Sequence, residues 1–200
     1  MTRTKPKKTS FLYGWPMSDQ LRLRIVGLSI LAAFPLFGGG QVLLGGDLNW
    51  LGQLMCFSNS AVVIAIGVLM RPVIATTAPR SADIYRAARI TEAVLLAISV
   101  LIVQGSLSTL PFSSDVFYRV AMVVLGLGSI PMCLWLLSTK IVPTMLGALG
   151  LAGYLCLVAA MIASASGSGT ASLALLLPGT AFEVIFGVTL VLRRRQFEPT

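Results

Sequence analysis

Six long stretches carrying little or no charge constrain this chain more than any other feature of its sequence: 25–44, 51–70, 84–107, 120–139, 142–163 and 173–192. A run of that length wound into α-helix rises about 1.5 Å per residue and crosses the roughly 30 Å hydrocarbon core of a bilayer. The expected fold class is therefore all-α, an integral membrane bundle of six transmembrane helices. Composition agrees, since 56% of the chain is hydrophobic and only 11% charged, against roughly 25% charged in an average soluble domain. The simplest partition is one membrane domain over 25–192, with basic tails at 1–24 and 193–200.

Basic residues orient the bundle. Arg3, Lys5, Lys7, Lys8, Arg22 and Arg24 precede or open the first run, Arg71, Arg80, Arg86 and Arg89 surround the second connection, Lys140 marks the fourth, and Arg193, Arg194 and Arg195 close the sixth run. Only Arg119 falls on the opposite side. Lys and Arg are retained on the cytoplasmic side, so both termini are expected in the cytoplasm, against the anionic lipid of a plasma membrane. The formal net charge of +8 is thereby explained by topology, and nucleic acid is not an expected partner. Phe11, Tyr13 and Trp15 beside the basic tail suit the headgroup layer. The 24 residues before the first run, and the length of that run, fit poorly with the roughly 7–15-residue core of a cleaved signal peptide.

The connections carry turn chemistry. Gly45–Trp50 is short enough to make the first two helices an antiparallel hairpin, with Trp50 at the outer interface. Arg71 to Asp83, with Pro72 and Pro79, reads as a cytoplasmic loop, Leu110–Asp115 as an outer turn, Lys140 and Pro143 as a tight inner turn, and Ser164–Ser172 as a flexible outer loop. Pro35 and Gly38–Gly40 inside the first run predict a kink or early unwinding, serving either close helix packing or a broken helix that lines a site.

Arg89, Glu92 and Glu183 lie within apolar runs rather than at their ends. A charge near the bilayer centre costs about 3 kcal/mol or more, so such groups face protein or water and find partners. Glu183 should sit about 15 Å from either surface, and Glu92 roughly 6–12 Å in from the cytoplasmic one. Arg86, Arg89 and Glu92 recur every third residue, which points to one helical face, with Arg89 able to pair with Glu92 or reach Glu183. A charge network between the third and sixth helices is expected from Arg86, Arg89, Glu92 and Glu183, silent and structural or else serving a polar ligand, ion or proton. Asp115 and Arg119 read as an interfacial i, i+4 pair, and Asn59 as an interhelical hydrogen-bond contact.

The chain has no histidine, and Cys56, Cys133 and Cys156 each sit in an apolar run without paired spacing. The commonest metal ligand and general base is missing, the cysteines read as buried small hydrophobes, and no cofactor or metal is expected. There is no G-x-S-x-G site. Lys140, at a helix end, is not placed as a retinal lysine. Enzymatic work would rest on a Glu92 and Glu183 carboxylate pair alone.

Tyr85-Arg86-x-x-Arg89-x-x-Glu92-Ala93, Val142-Pro143-x-x-Leu146-Gly147-x-x-Gly150-x-x-Gly153-Tyr154, and Pro178 followed by Phe182-Glu183 and Gly187 resemble the domain of unknown function 4386 family of bacterial six-helix membrane proteins. The likeness runs from about the second helix to Arg193. It implies six helices and a bacterial plasma membrane, and supplies no activity. The family pattern has a longer outer segment between the first two helices, so nothing lodged there carries over. Two functions then fit: a structural or accessory protein packing against a membrane-protein partner or organising lipid, and, as the alternative, a small transporter or polar-ligand binder using Arg89, Glu92 and Glu183. Halves of opposite orientation, aligned at Glu92-Ala93-Val94-Leu95 and Glu183-Val184-Ile185-Phe186, would suit the transporter.

Overall fold

A computed structural model describes residues 18–107, 109–167 and 169–192. Among the described residues the chain is all-helical: α1 (Asp19–Leu43), α2 (Asn49–Ala75), α3 (Pro79–Val103), α4 (Ser114–Thr139), α5 (Thr144–Ala165) and α6 (Gly169–Leu192). The tail aromatics Phe11, Tyr13 and Trp15 and the arginines 193–195 lie outside the described residues. Five helices are long and apolar enough to cross a membrane: α1, α2, α4, α5 and the Ser172–Leu192 part of α6. α3 is long enough but carries Arg80, Asp83, Arg86, Arg89 and Glu92.

The helices begin and end at chemistry the hydropathy pattern does not register. Ser18 caps α1 by accepting from the Leu21 amide at 3.3 Å, so the helix starts before the apolar run. The expected loop over 71–83 shrinks to residues 76–78. α2 continues through Pro72 to Ala75, and Pro79 opens α3 at its first turn, where the missing N–H costs nothing. The serine-rich stretch 164–172 likewise shortens, with α5 running to Ala165 and α6 starting at Gly169. Lys140 closes α4 in the left-handed conformation, φ 51°, and Pro143 precedes α5. The predicted unwinding in α1 does not occur. The helix is continuous through Gly38–Gly40, and Gly40 meets α2, where an added Cβ would lie 2.6 Å from Cys56 Sγ and 3.1 Å from the Gly52 carbonyl oxygen. At Gly39 and Gly40 the role observed is packing, whereas Gly38 borders open space.

Each helix packs on its chain neighbours and α6 closes back on α1, giving a ring of six antiparallel neighbours. α3 and α6 therefore stand opposite each other in the ring order. A ring of six leaves a central space that side chains must fill, since packed helices hold their axes only about 8–10 Å apart. Toward the end that carries Lys140 it is filled by Met70, Tyr85, Met132, Trp135, Leu136, Phe182 and Phe186. The outer surface is apolar on every helix, with Leu28, Leu54, Val94, Leu127, Leu155 and Leu177 all exposed, the inside-out pattern of a chain solvated by lipid.

Polar pins tie the two ends. Trp135 Nε1 donates to Thr77 Oγ1 at 2.7 Å, fastening α4 to the α2–α3 turn. At the other end Asn49, Gln53 and Gln104 form an amide cluster between α2 and α3, with bonds of 2.8–3.0 Å centred on Gln104. Trp135→Phe loses one hydrogen bond and part of a buried indole, so it is expected to cost about 1–3 kcal/mol. Thr77→Val, which keeps the side-chain shape, should cost about 1 kcal/mol, and the double variant no more than Trp135→Phe alone, as read by chemical unfolding in detergent; additive losses would show that the two groups act separately.

Candidate functional site

α3 buries Tyr85, Ala88, Arg89, Glu92, Leu96 and Ser99, the repeating stripe of one helical face, while Ile84, Ile90 and Val94 point outward. Its charge is turned into the ring and its apolar residues toward the surroundings, the reverse of a soluble amphipathic helix. Gly67 on α2 makes this possible: a Cβ there would lie 2.7 Å from Arg89 Cβ.

Inside the ring Arg89 joins opposite helices. Its Nη1 donates to Glu92 Oε2 at 3.2 Å and its Nη2 to Glu183 Oε1 on α6 at 3.4 Å. Nε donates to the Tyr85 hydroxyl at 3.1 Å, and the guanidinium carbon lies 5.4 Å from the centroid of that ring. Tyr154 on α5 donates its hydroxyl to Glu183 Oε1 at 3.0 Å. Phe182, edge-on to Tyr154 with centroids 5.7 Å apart, packs beside the carboxylate. Burial is unequal, with the Arg89 and Glu92 side chains 5% and 4% exposed and Glu183 21%.

Three of the four expected site residues thus converge. Arg86 does not join them: it is partly exposed and lies 3.8 Å from Asp83, which also takes Arg71 at 2.7 Å. Two other expectations change. Arg119 Nε donates to the Asp115 backbone carbonyl at 3.3 Å instead of forming a side-chain ion pair, and Asn59, 3% exposed, leaves its Oδ1 without a partner rather than bridging helices. Tyr85 and Tyr154 are site residues that charge counting missed. The available signal for Tyr154 was a phenol in the middle of an apolar helix, whose hydroxyl needs a partner when buried, and for Tyr85 its place one turn before Arg89.

Beside the cluster lies a cavity of about 260 Å³, lined among others by Phe34 and Phe37 of α1, Asn59 of α2, Arg89 and Glu92 of α3, Tyr118 of α4 and Glu183 of α6. A second cavity of about 200 Å³ lies toward the end opposite Lys140, lined by Gln41, Ser99, Ser114 and Asp115. Both share Phe37 and Tyr118, whose rings stack at 5.7 Å between them. Among the described residues no group of three or more Cys, Asp and Glu could hold a metal ion. The carboxylates face a guanidinium instead, so the arrangement offers ion pairing and hydrogen bonding to a polar solute in an apolar wall.

No curated protein and no solved structure matches the chain. A family model does match, over residues 44–193, a span that takes in Asn59, Arg89, Glu92, Tyr154 and Glu183. The chain belongs to the family of that model, the domain of unknown function DUF4386.

Proposed function

We propose that this is a multi-pass protein of the bacterial plasma membrane, crossing it six times with both termini cytoplasmic, which binds a small polar solute in the ring and passes it between the two faces. α3 counts as the sixth crossing because its charges face the interior and its outward residues are apolar. The Lys140 end then faces the cytoplasm and anionic lipid, with Arg71 and Arg86 beside it. The cavity carries the functional part of this reading: a purely structural salt bridge has no need of about 260 Å³ beside it, nor of a buried Asn59 amide oxygen left unpaired. Access from the outer side would run past Gln41 and Asp115 to the stacked Phe37 and Tyr118.

The test is solvent access. In a background with Cys56, Cys133 and Cys156 replaced by alanine, Ala33→Cys lines the cavity and Leu28→Cys faces outward from the same helix. A charged methanethiosulfonate added outside is expected to label position 33 at least tenfold faster than position 28, and Glu183→Gln to change solute flux into proteoliposomes. Equal, slow labelling at both positions would indicate a dry interior and return the protein to a structural or accessory role beside another membrane protein.

A further inference from the structure

We propose that the cavity takes a small organic monocation bearing hydrogen-bond donors, an alkylammonium or a guanidinium, held by Glu183 and Asn59 with the aromatic rings of α1 and α4 around it. This rests on the polar-cavity reading above and adds the sign and chemistry of the ligand.

Hydrogen-bond capacity sets the chemistry. Arg89 spends three of its five N–H donors inside the cluster, Nε to Tyr85, Nη1 to Glu92 and Nη2 to Glu183, and the side chain is 5% exposed. It therefore has little face to offer an anion. Unused acceptors stand beside it: Glu183 Oε2 and Glu92 Oε1 make no hydrogen bond among the described residues, and Asn59 Oδ1 is buried and unpaired. Glu183, the most exposed of the three charges at 21%, lines the cavity directly. A ligand that satisfies acceptors must bring donors.

Charge sets the sign. The carboxylate of Glu183, with Oε2 unused, borders a site walled by Phe34, Phe37, Leu96, Met122 and Leu125. In such surroundings charges are weakly screened, so an added cation is favoured and an added anion opposed. Phe34, Phe37 and Tyr118 supply ring faces of the kind that attract ammonium and guanidinium groups. The volume of about 260 Å³ exceeds the roughly 30 Å³ share of one water, which leaves room for a solute of several heavy atoms.

Calorimetry on the full chain in lipid nanodiscs tests this with four probes: ethylammonium chloride, guanidinium chloride at millimolar concentration, sodium acetate and neutral acetamide. Saturable binding of ethylammonium or guanidinium, each displacing the other, with none of acetate, is the expected result. Glu183→Gln should weaken that binding at least tenfold and Asn59→Leu several-fold. Should Glu183→Gln fail to fold, Asn59→Leu carries the test, since it removes an unpaired group and leaves the ion pairs intact. Absence of cation binding, or cation binding that neither variant changes, overturns the proposal. Acetate or acetamide binding in place of the cations overturns it while leaving the polar cavity standing. The cavity itself falls only if Ala33→Cys also labels no faster than Leu28→Cys.

Discussion

Arg89→Met is expected to destabilise the protein by about 3–5 kcal/mol, because it removes the cation that lies between the buried Glu92 and the partly buried Glu183. Among the described residues Glu92 would lose its only hydrogen-bonding partner while 4% exposed, and Glu183 would keep only the Tyr154 hydroxyl. The Tyr85 hydroxyl would be orphaned as well, since Arg89 Nε is its donor. A buried ion pair is a weak source of net stability, but breaking one leaves an uncompensated charge, and the two statements together make a sharp expectation. The triple variant Arg89→Met, Glu92→Gln, Glu183→Gln removes all three charges and should recover most of what the single change loses. Unfolding in detergent, followed by circular dichroism, measures both proteins. A single variant as stable as the parent would mean that the carboxylates are solvated rather than paired. A triple variant as unstable as the single one would mean that Arg89 acts through packing, in contact with Gly67 and Tyr85.

How much of this was legible beforehand follows the physics of each feature. The helices and the meeting of Arg89, Glu92 and Glu183 were readable because hydrocarbon tolerates neither free backbone nor free charge, so length and unpaired charge alone restrict the outcome. Arg86 was misplaced by its spacing. At about 100° per residue, positions three apart drift by about 60°, and Arg86 ends about 120° from Glu92 around the helix, where it finds Asp83. Hydropathy alone sets helix ends too tight, because it registers neither the Ser18 cap of α1 nor the Pro79 that opens α3.

What could not be read was the ring order that brings those charges together. The closure of α6 on α1 puts Glu183 opposite Arg89, and the sequence carries no mark of that ring order. The role of Tyr154 depends on it too, because its hydroxyl reaches a carboxylate on another helix. Asn59 was given an interhelical partner by a general rule, whereas its neighbours across the interior supply none. That exception is informative: natural interiors leave few buried polar atoms unpaired, and those they leave tend to sit where something else binds.

Gly153→Val is expected to separate α5 from α6 at their closest approach and cost about 2–3 kcal/mol. A Cβ on Gly153 would lie 2.7 Å from Gly179 Cα, 2.8 Å from its N and 3.0 Å from the Pro178 carbonyl carbon. All three obstacles are backbone, so no side-chain rotation can relieve them and the helices must move apart. The consequence reaches the charge cluster, since Tyr154 adjoins Gly153 and donates to Glu183 one turn beyond Gly179 at 3.0 Å. The contact is also asymmetric: a Cβ on Gly179 would stand 3.2 Å from the Gly153 carbonyl oxygen, a milder intrusion. Gly153→Ala should therefore lower the melting temperature more than Gly179→Ala does. Gly38→Ala, with nothing within 4 Å of the added carbon, should be neutral or slightly stabilising, because alanine suits a helix better than glycine. Equal losses at 153, 179 and 38 would mean that helix propensity rather than the α5–α6 contact governs these positions. The expected order instead makes Gly153 the residue that holds Tyr154 within reach of Glu183.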